Sequence, residues 1–424
     1  MRHAYSWCIA TRGDHNQGHP HMTPSSTHST DASPGAPKEA AWGAVLTLTL
    51  SVFGLVTAEF LPVSLLTPIS NDLGITPGAA GQTITTTAIV AAFAGPGVVI
   101  GTRKLDRRLT VLALTMLLVL STLIAAMANG LFMLLTARFL LGIGLGGFWA
   151  MSAALAMRLV PPEKLPRAMA LIMAGVSGAT VLAAPLGAWI GATMGWRMAF
   201  FLAAALGVVA LIGQIVALPK MPPSGHAGLG TMVALLRRPL LRLCFIAMIF
   251  MIGGHFAGFT YIRPYLELVP HLDVDQISLT LLAYGVAGFV GTALGGMVVE
   301  KRGPRFSITL WGSLMAAAAV VMAVGGQSPS VAVAGVAFWG LAFGAIPVSI
   351  QNYITSVAGD EAESAGALML TTFQIAISSG AILGGVLIEG LGPISVIVFL
   401  AVGSLAGASV LAAGGRTRTA LSEG

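Results

Sequence analysis

The sequence predicts an all-α polytopic membrane protein: twelve transmembrane helices in two six-helix bundles that repeat in parallel. Three observations point to it. The 424 residues are 56% hydrophobic and only 9% charged, with a mean hydropathy of +0.87. Apolar runs long enough to cross a bilayer recur from Ala41 onward, since about 20 residues rising about 1.5 Å each span the hydrocarbon core. Laid against itself at an offset of 197 residues, the chain matches Lys104 and Arg108 to Lys301 and Arg305, Gly147 and Ser152 to Gly344 and Ser349, and Gly187 and Gly195 to Gly384 and Gly392. An even number of spans per half makes the copies parallel, a transporter architecture with its substrate site near the midplane between them.

In chain order, residues 1–40 are polar, rich in Pro, Ser and Thr, and carry five of the eight histidines. They read as a disordered tail, because they bury too little apolar surface to offset the entropy of ordering. His15, His19 and His21 are metal-ligand types without a scaffold, so a solvated tail is expected there. The spans fall near 42–66, 78–101, 110–128, 131–156, 168–193 and 197–218 in the first bundle (41–218). The second bundle (242–414) holds spans near 242–266, 277–299, 306–325, 331–357, 365–389 and 393–413. A Pro- and Gly-rich linker occupies 219–241, and 415–424 form a second tail. Fifty-three glycines suit helices that pack backbone against backbone in lipid.

Lysines and arginines set the orientation. Arg103, Lys104, Arg107 and Arg108 follow span two; Arg158, Lys164 and Arg167 follow span four; Lys220, Arg237, Arg238 and Arg242 follow span six; Lys301, Arg302 and Arg305 follow span eight. By the positive-inside rule these loops and both termini are cytoplasmic. The net charge of +6 therefore reflects topology and not nucleic-acid binding, because no aromatic residues interleave the basic clusters. Cys8 and Cys244 supply no disulfide framework and no metal site. No cofactor or metal is expected, and no Walker-type phosphate loop indicates an ATP-driven pump, so the energy source should be an ion gradient. An enzyme is disfavoured, as no nucleophile, base and orienting residue stand together.

Glu59 is the only acid in the first span. A charge in a membrane helix costs on the order of 2.5–3.5 kcal/mol on insertion scales and normally faces a protein interior or watery cavity. It is a candidate for taking and releasing a proton across the membrane; the alternative is a carboxyl that only ties helices together. Arg138 in span four lies at a similar depth, about 10 Å from the outer surface on these boundaries. It would either couple to Glu59 or brace its helix against backbone carbonyls. His255, near the middle of span seven, occupies the duplicate position of Glu59 if Pro68 is matched to Pro264. It is a second proton or ligand candidate, or a packing residue.

The basic turn after span two with its echo EKRGPR, the segment ARFLLGIGLGG around Arg138, and GVSGATVLAAPLG in span five resemble the major facilitator superfamily, and within it the drug/proton antiporter group. EFLPVSLLTP, GGFWAMSAALAMRLVPP and FTYIRP resemble the bacterial purine ribonucleoside efflux pumps more specifically. The resemblance implies the major facilitator fold in the bacterial inner membrane, and proton-coupled efflux of inosine-type nucleosides by alternating access. It also implies a central cavity lined by spans one, four, seven and ten. Efflux of a sugar or amphipathic drug is the alternative cargo, and a non-transporting sensor or scaffold the alternative class. Partners would be the substrate, protons and lipid, with the protein a monomer.

A nucleoside needs aromatic faces and amide-type donors and acceptors. Phe148 and Trp149, Gln351 and Asn352, and Gln374 have that chemistry, against core packing for the aromatics and helix–helix hydrogen bonding for the amides. Arg138 and Tyr261 join the substrate-binding candidates; Arg263 beside Tyr261 is expected to snorkel to the interface. Asp106 and Arg107 after span two, and Glu300, Arg302 and Arg305 after span eight, are candidate gating residues or plain topology determinants. Pro185 and Gly187 would bend and thin span five where the halves meet.

Overall fold

The computed structural model describes residues 40–222, 235 and 237–413. The expected tails, apart from Ala40, and most of the expected linker lie outside the described residues. Twelve helices long and apolar enough to span a membrane run through the described residues. They are α1 (Trp42–Leu73), α2 (Pro77–Gly101), α3 (Arg107–Ala126), α4 (Leu131–Leu159), α5 (Leu165–Thr193), α6 (Trp196–Ala217), α7 (Pro239–Thr260), α8 (Val274–Arg302), α9 (Pro304–Gly325), α10 (Pro329–Ala358), α11 (Ala362–Leu391) and α12 (Pro393–Ala413). The described residues contain no strand, as expected where backbone groups must be satisfied within each spanning segment.

Local chemistry sets the helix ends. Thr76 caps α2 by accepting the Ala79 N–H, with proline at the first helical position. Asp273 and Gln276 form a reciprocal capping box at the start of α8. The turns α5–α6 and α11–α12 pivot on Gly195 and Gly392, with φ of 86° and 80°. These conformations disfavour any side chain, and they fall at the 197-residue offset seen in the sequence.

The repeat extends to tertiary bonds. Arg108 at the start of α3 donates to the Ile215 carbonyl of α6 at 2.6 Å, and Arg305 at the start of α9 donates to the Leu411 and Ala412 carbonyls of α12. The two arginines, and the acceptors Ile215 and Ala412, stand 197 residues apart. Within each half the second and fourth helices press together: a Cβ on Gly146 of α4 would lie 2.4 Å from the Ala91 carbonyl oxygen of α2, and one on Gly344 of α10 1.9 Å from that of Gly288 in α8. Only glycine fits such approaches.

The halves meet through crossed pairs, α2 on α11 and α5 on α8, with α1 against the short helix Ile262–Leu268 that follows α7. Two apolar cores result. One contains only first-half residues, from Val45 through Leu55, Leu114, Leu145 and Leu159 to Met221. The other fills the second half but takes from the first half only residues toward the far end, such as Leu65, Ile69, Ile84, Ala126, Leu134 and Phe200. The halves are therefore joined at the end carrying the α1–α2 and α7–α8 turns and separate toward the end carrying the basic loops.

Four sequence expectations are corrected. Helix α1 runs on to Leu73 despite Pro68, so Glu59 lies about 21 Å along the helix from that end, not 10 Å. The seventh span breaks at Tyr261 and continues as a separate short helix, Ile262–Leu268. Arg263 does not snorkel: it is 4% exposed and bonded to Glu267 and to the Ser64 carbonyl. Gly187 thins α5 against α1 of its own half, where a Cβ would lie 2.4 Å from Ser64 Oγ; α5 comes close to the other half at Thr180 and Val181, against Gly285 of α8.

Candidate functional site

Glu59 sits near the middle of α1 and is 8% exposed. Arg138, 1% exposed, reaches α1 from α4, which places its charge close enough to act on the Glu59 carboxyl. Its donors go elsewhere: Nη1 to the Ala58 carbonyl at 2.7 Å, Nη2 to the Glu59 carbonyl at 3.0 Å, and Nε to the Thr83 carbonyl of α2 at 3.2 Å. Among the described residues no ion pair joins the two side chains. The arginine thus ties α4 to the backbones of α1 and α2 and lends Glu59 a field without a direct bond. The carboxyl can change protonation without breaking that brace.

A second cluster lies between the halves. Phe60 of α1 and Thr180 and Ala184 of α5 face His255, Phe256 and Phe259 of α7, Tyr284 of α8 and Phe343 of α10 across a cavity of about 20 Å³. That is room for about one water molecule. The His255 ring stacks on Phe343 with centroids 3.4 Å apart and planes 4° apart, and its other neighbours include Phe259 at 5.3 Å. Trp339 Nε1–H donates to His255 Nδ1 at 3.0 Å. Phe60 meets Phe256 and Phe259 from the opposite half, at 6.3 and 6.0 Å. Because the walls belong to different halves, the cavity widens when the halves separate.

One end of this space is shut by a polar latch. Arg263 Nε donates to Glu267 at 2.7 Å, Thr67 of α1 donates to the other Glu267 oxygen at 2.6 Å, and Arg263 also donates to the Ser64 carbonyl of α1. Tyr261 is fully buried, donates to the Ala381 carbonyl of α11 at 2.9 Å and lies against Gly81 of α2.

Of the residues singled out in the sequence, His255 alone lines the cavity, and Glu59 adjoins it through its neighbour Phe60. Tyr261 is withdrawn from substrate contact, since its hydroxyl is engaged on a backbone carbonyl and its ring wedges α2 against α11. Phe148 is likewise withdrawn into the first-half core, with Trp149 packed against it. Gln374 of α11 is buried with its Oε1 unpartnered, whereas Gln351 and Asn352 are exposed near the basic-loop end of α10 and bond within their own helix. Phe60, Thr180, Phe256, Phe259, Tyr284 and Phe343 were missed. The available signal was position: Phe60 follows Glu59, and Phe256 and Phe259 share a helix turn with His255.

The loop candidates act within their own halves. Asp106 caps α3, accepting the backbone N–H groups of Arg108 and Met221 at 2.8 and 3.0 Å, and Arg107 donates to Thr102. Slight burial opposes the Asp106 charge, but those N–H groups and the Arg108 and Arg158 charges outweigh it and hold the carboxyl below its usual range. Arg302 lies over the Phe306 ring at 5.7 Å, and Glu300 is exposed.

Twelve membrane-spanning helices in two repeated bundles, joined at one end around a cavity with walls from both, define a multi-pass membrane transporter. The family model of the Major Facilitator Superfamily matches residues 48–381 and 270–421, and the chain belongs to that superfamily. It is 41% identical over 354 residues to the purine ribonucleoside efflux pump NepI of Salmonella typhimurium (strain LT2), covering 84% of this chain and 89% of that one. The NepI of Escherichia coli O157:H7 is also 41% identical, over 351 residues, covering 83% and 88%. Among solved structures the fold matches the nucleoside transporter NupG, with a TM-score of 0.73, 13% identity, and coverage of 88% of this chain and 99% of that one. It also matches a D-xylose–proton symporter, with a TM-score of 0.71, 16% identity and coverage of 87% and 96%. The fold and relatives are those of transporters, not enzymes.

Proposed function

We propose that this protein exports purine ribonucleosides of the inosine type across the bacterial cytoplasmic membrane in exchange for protons, by alternating access. The observation that carries the cargo is the 41% identity, over most of both chains, to purine ribonucleoside efflux pumps. The aromatic cavity between the halves is consistent with it, since a flat base is held by ring faces. In this reading the basic loops and both termini are cytoplasmic, the latched end is outward, and the protein works as a monomer.

Glu59 carries the coupled proton. Among the described residues it is the one acid buried within a membrane span, beside the cavity-lining Phe60, and no side-chain bond must break for it to titrate. His255 is the poorer carrier, because a second ring proton would fall on Nδ1 and confront the Trp339 N–H. Nucleoside enters past Gln351 and Asn352, meets Gln374, and reaches the rings as the halves part. Asp106, Arg107, Arg302 and Arg305 tie segments of their own halves together during rocking.

The test is exchange in proteoliposomes. Labelled inosine should enter vesicles loaded with unlabelled inosine, and an imposed pH gradient should drive its accumulation. Glu59→Gln should keep exchange but lose the gradient-driven component. Full gradient-driven transport in a folded Glu59→Gln protein would sink the proton assignment, and absent exchange in the wild type would sink the cargo.

A further inference from the structure

The ring of His255 is fixed on most sides. One face lies on Phe343, the Phe259 ring is stacked near it, and Trp339 approaches edge-on at 5.4 Å. The indole N–H is a donor only, so the nitrogen that accepts it, Nδ1, must carry a lone pair. The neutral ring then bears its single proton on Nε2. Trp339 is fully buried and Tyr284 packs beside it, which leaves the indole little freedom to turn away. His255 is also the one ring in the cavity wall with a nitrogen donor left over, among neighbours that are mostly hydrocarbon.

We propose that His255 presents a fixed Nε2–H donor to the cavity and that Trp339 is the positioning residue that sets this tautomer. The site thereby selects cargo by a hydrogen-bond acceptor on the N7 and 6-oxo edge of a purine. This rests on the nucleoside reading above and adds to it which edge of the base is recognised and by what. A buried donor left without its acceptor is disfavoured, so a base lacking that edge binds less well even where its shape fits. Trp339 acts at one remove: without its N–H the ring is free to place its proton on Nδ1, and the cavity then meets a lone pair.

The experiment is competition against labelled inosine exchange in proteoliposomes. One competitor is inosine; the other is the 7-deazapurine ribonucleoside without the 6-oxo group, which keeps shape and sugar but lacks both acceptors. The wild type should prefer inosine by roughly 3- to 10-fold, the range of one hydrogen bond. Trp339→Phe and His255→Phe should bring that ratio close to one, and His255→Gln, which keeps a donor, should restore part of it. A role confined to packing would weaken both competitors alike and leave the ratio intact, and that result would overturn the assignment of Trp339. A wild-type ratio near one overturns the donor itself while inosine exchange stands, and it requires no variant to fold. If the folded wild type exchanges no nucleoside, the cargo reading and this inference fail together, a result separate from either of the others.

Discussion

Replacing Gly81 with alanine should weaken the closed end of the molecule. A Cβ there would lie 2.0 Å from Tyr261 Oη, where ordinary contact begins near 3.4 Å, so α2 and α7 must part by about 1.4 Å or the tyrosine must move. The tyrosine has little room: its hydroxyl is bonded to Ala381, and a Cβ on Gly384 would already lie 2.8 Å from its ring. Overpacking of this kind costs about 1–3 kcal/mol. Because α2 and α7 belong to opposite halves, the cost falls on the latched state and shifts its population relative to the open one by about 5- to 150-fold. Spin labels at the exposed positions Asn71 and Asp275 should report it as a longer-distance population. Gly97→Ala, also in α2 but with nothing within 4 Å, controls for the gain in helix propensity. Adding Tyr261→Ala should restore the short distance, since a double-mutant cycle isolates the clash. A Gly81→Ala distribution matching that of Gly97→Ala would refute the reasoning.

Two further outcomes follow from bonds described above. Arg138→Lys replaces a planar fork serving α1 and α2 with a point donor, and should lower stability by about 1–3 kcal/mol, read as the thermal midpoint in detergent; an unchanged midpoint would remove the bracing role. Asp106→Ala removes a helix cap and should cost about 0.5–2 kcal/mol. With its folded pKa held below the unfolded value near 4, the Asp106 contribution is complete above that value and fades as pH falls through the folded one. The gap between wild type and Asp106→Ala should therefore be constant from pH 8 to 5 and narrow toward pH 3; a gap that changes between pH 8 and 6 would point to another group.

The architecture was legible because lipid leaves few alternatives: long apolar runs become helices, and lysines and arginines mark their ends. The duplication was legible too, and Gly195 with Gly392, and Arg108 with Arg305, do the same work in both copies. Glu59, Arg138 and His255 stood out because a polar side chain in an apolar run is conspicuous. The cavity wall was not legible, since Phe60, Phe256, Phe259, Tyr284 and Phe343 look like any membrane-helix aromatic until their helices are brought together. The same lack of contrast misled in the other direction at Phe148 and Tyr261, whose neighbours come from distant segments. The end of α1 was misjudged because the apolar run was taken to stop at Leu66, ahead of Pro68, whereas the helix carries Pro68 within it, continues to Leu73 and is capped by the left-handed Gly74.

The first-half core that closes on itself has a consequence for synthesis. Val45, Leu55, Leu114, Leu145 and Leu159 need no residue beyond Met221 to be buried, and Arg108 fastens α6 to α3 within the same stretch. Domains fold as units and the N-terminal one first as the chain emerges. The opening six helices are thus able to settle in the bilayer while the second bundle is still being made. The late-arriving helices then dock onto Leu65, Ile69 and Ile84, the apolar surface the first half leaves uncovered at its far end.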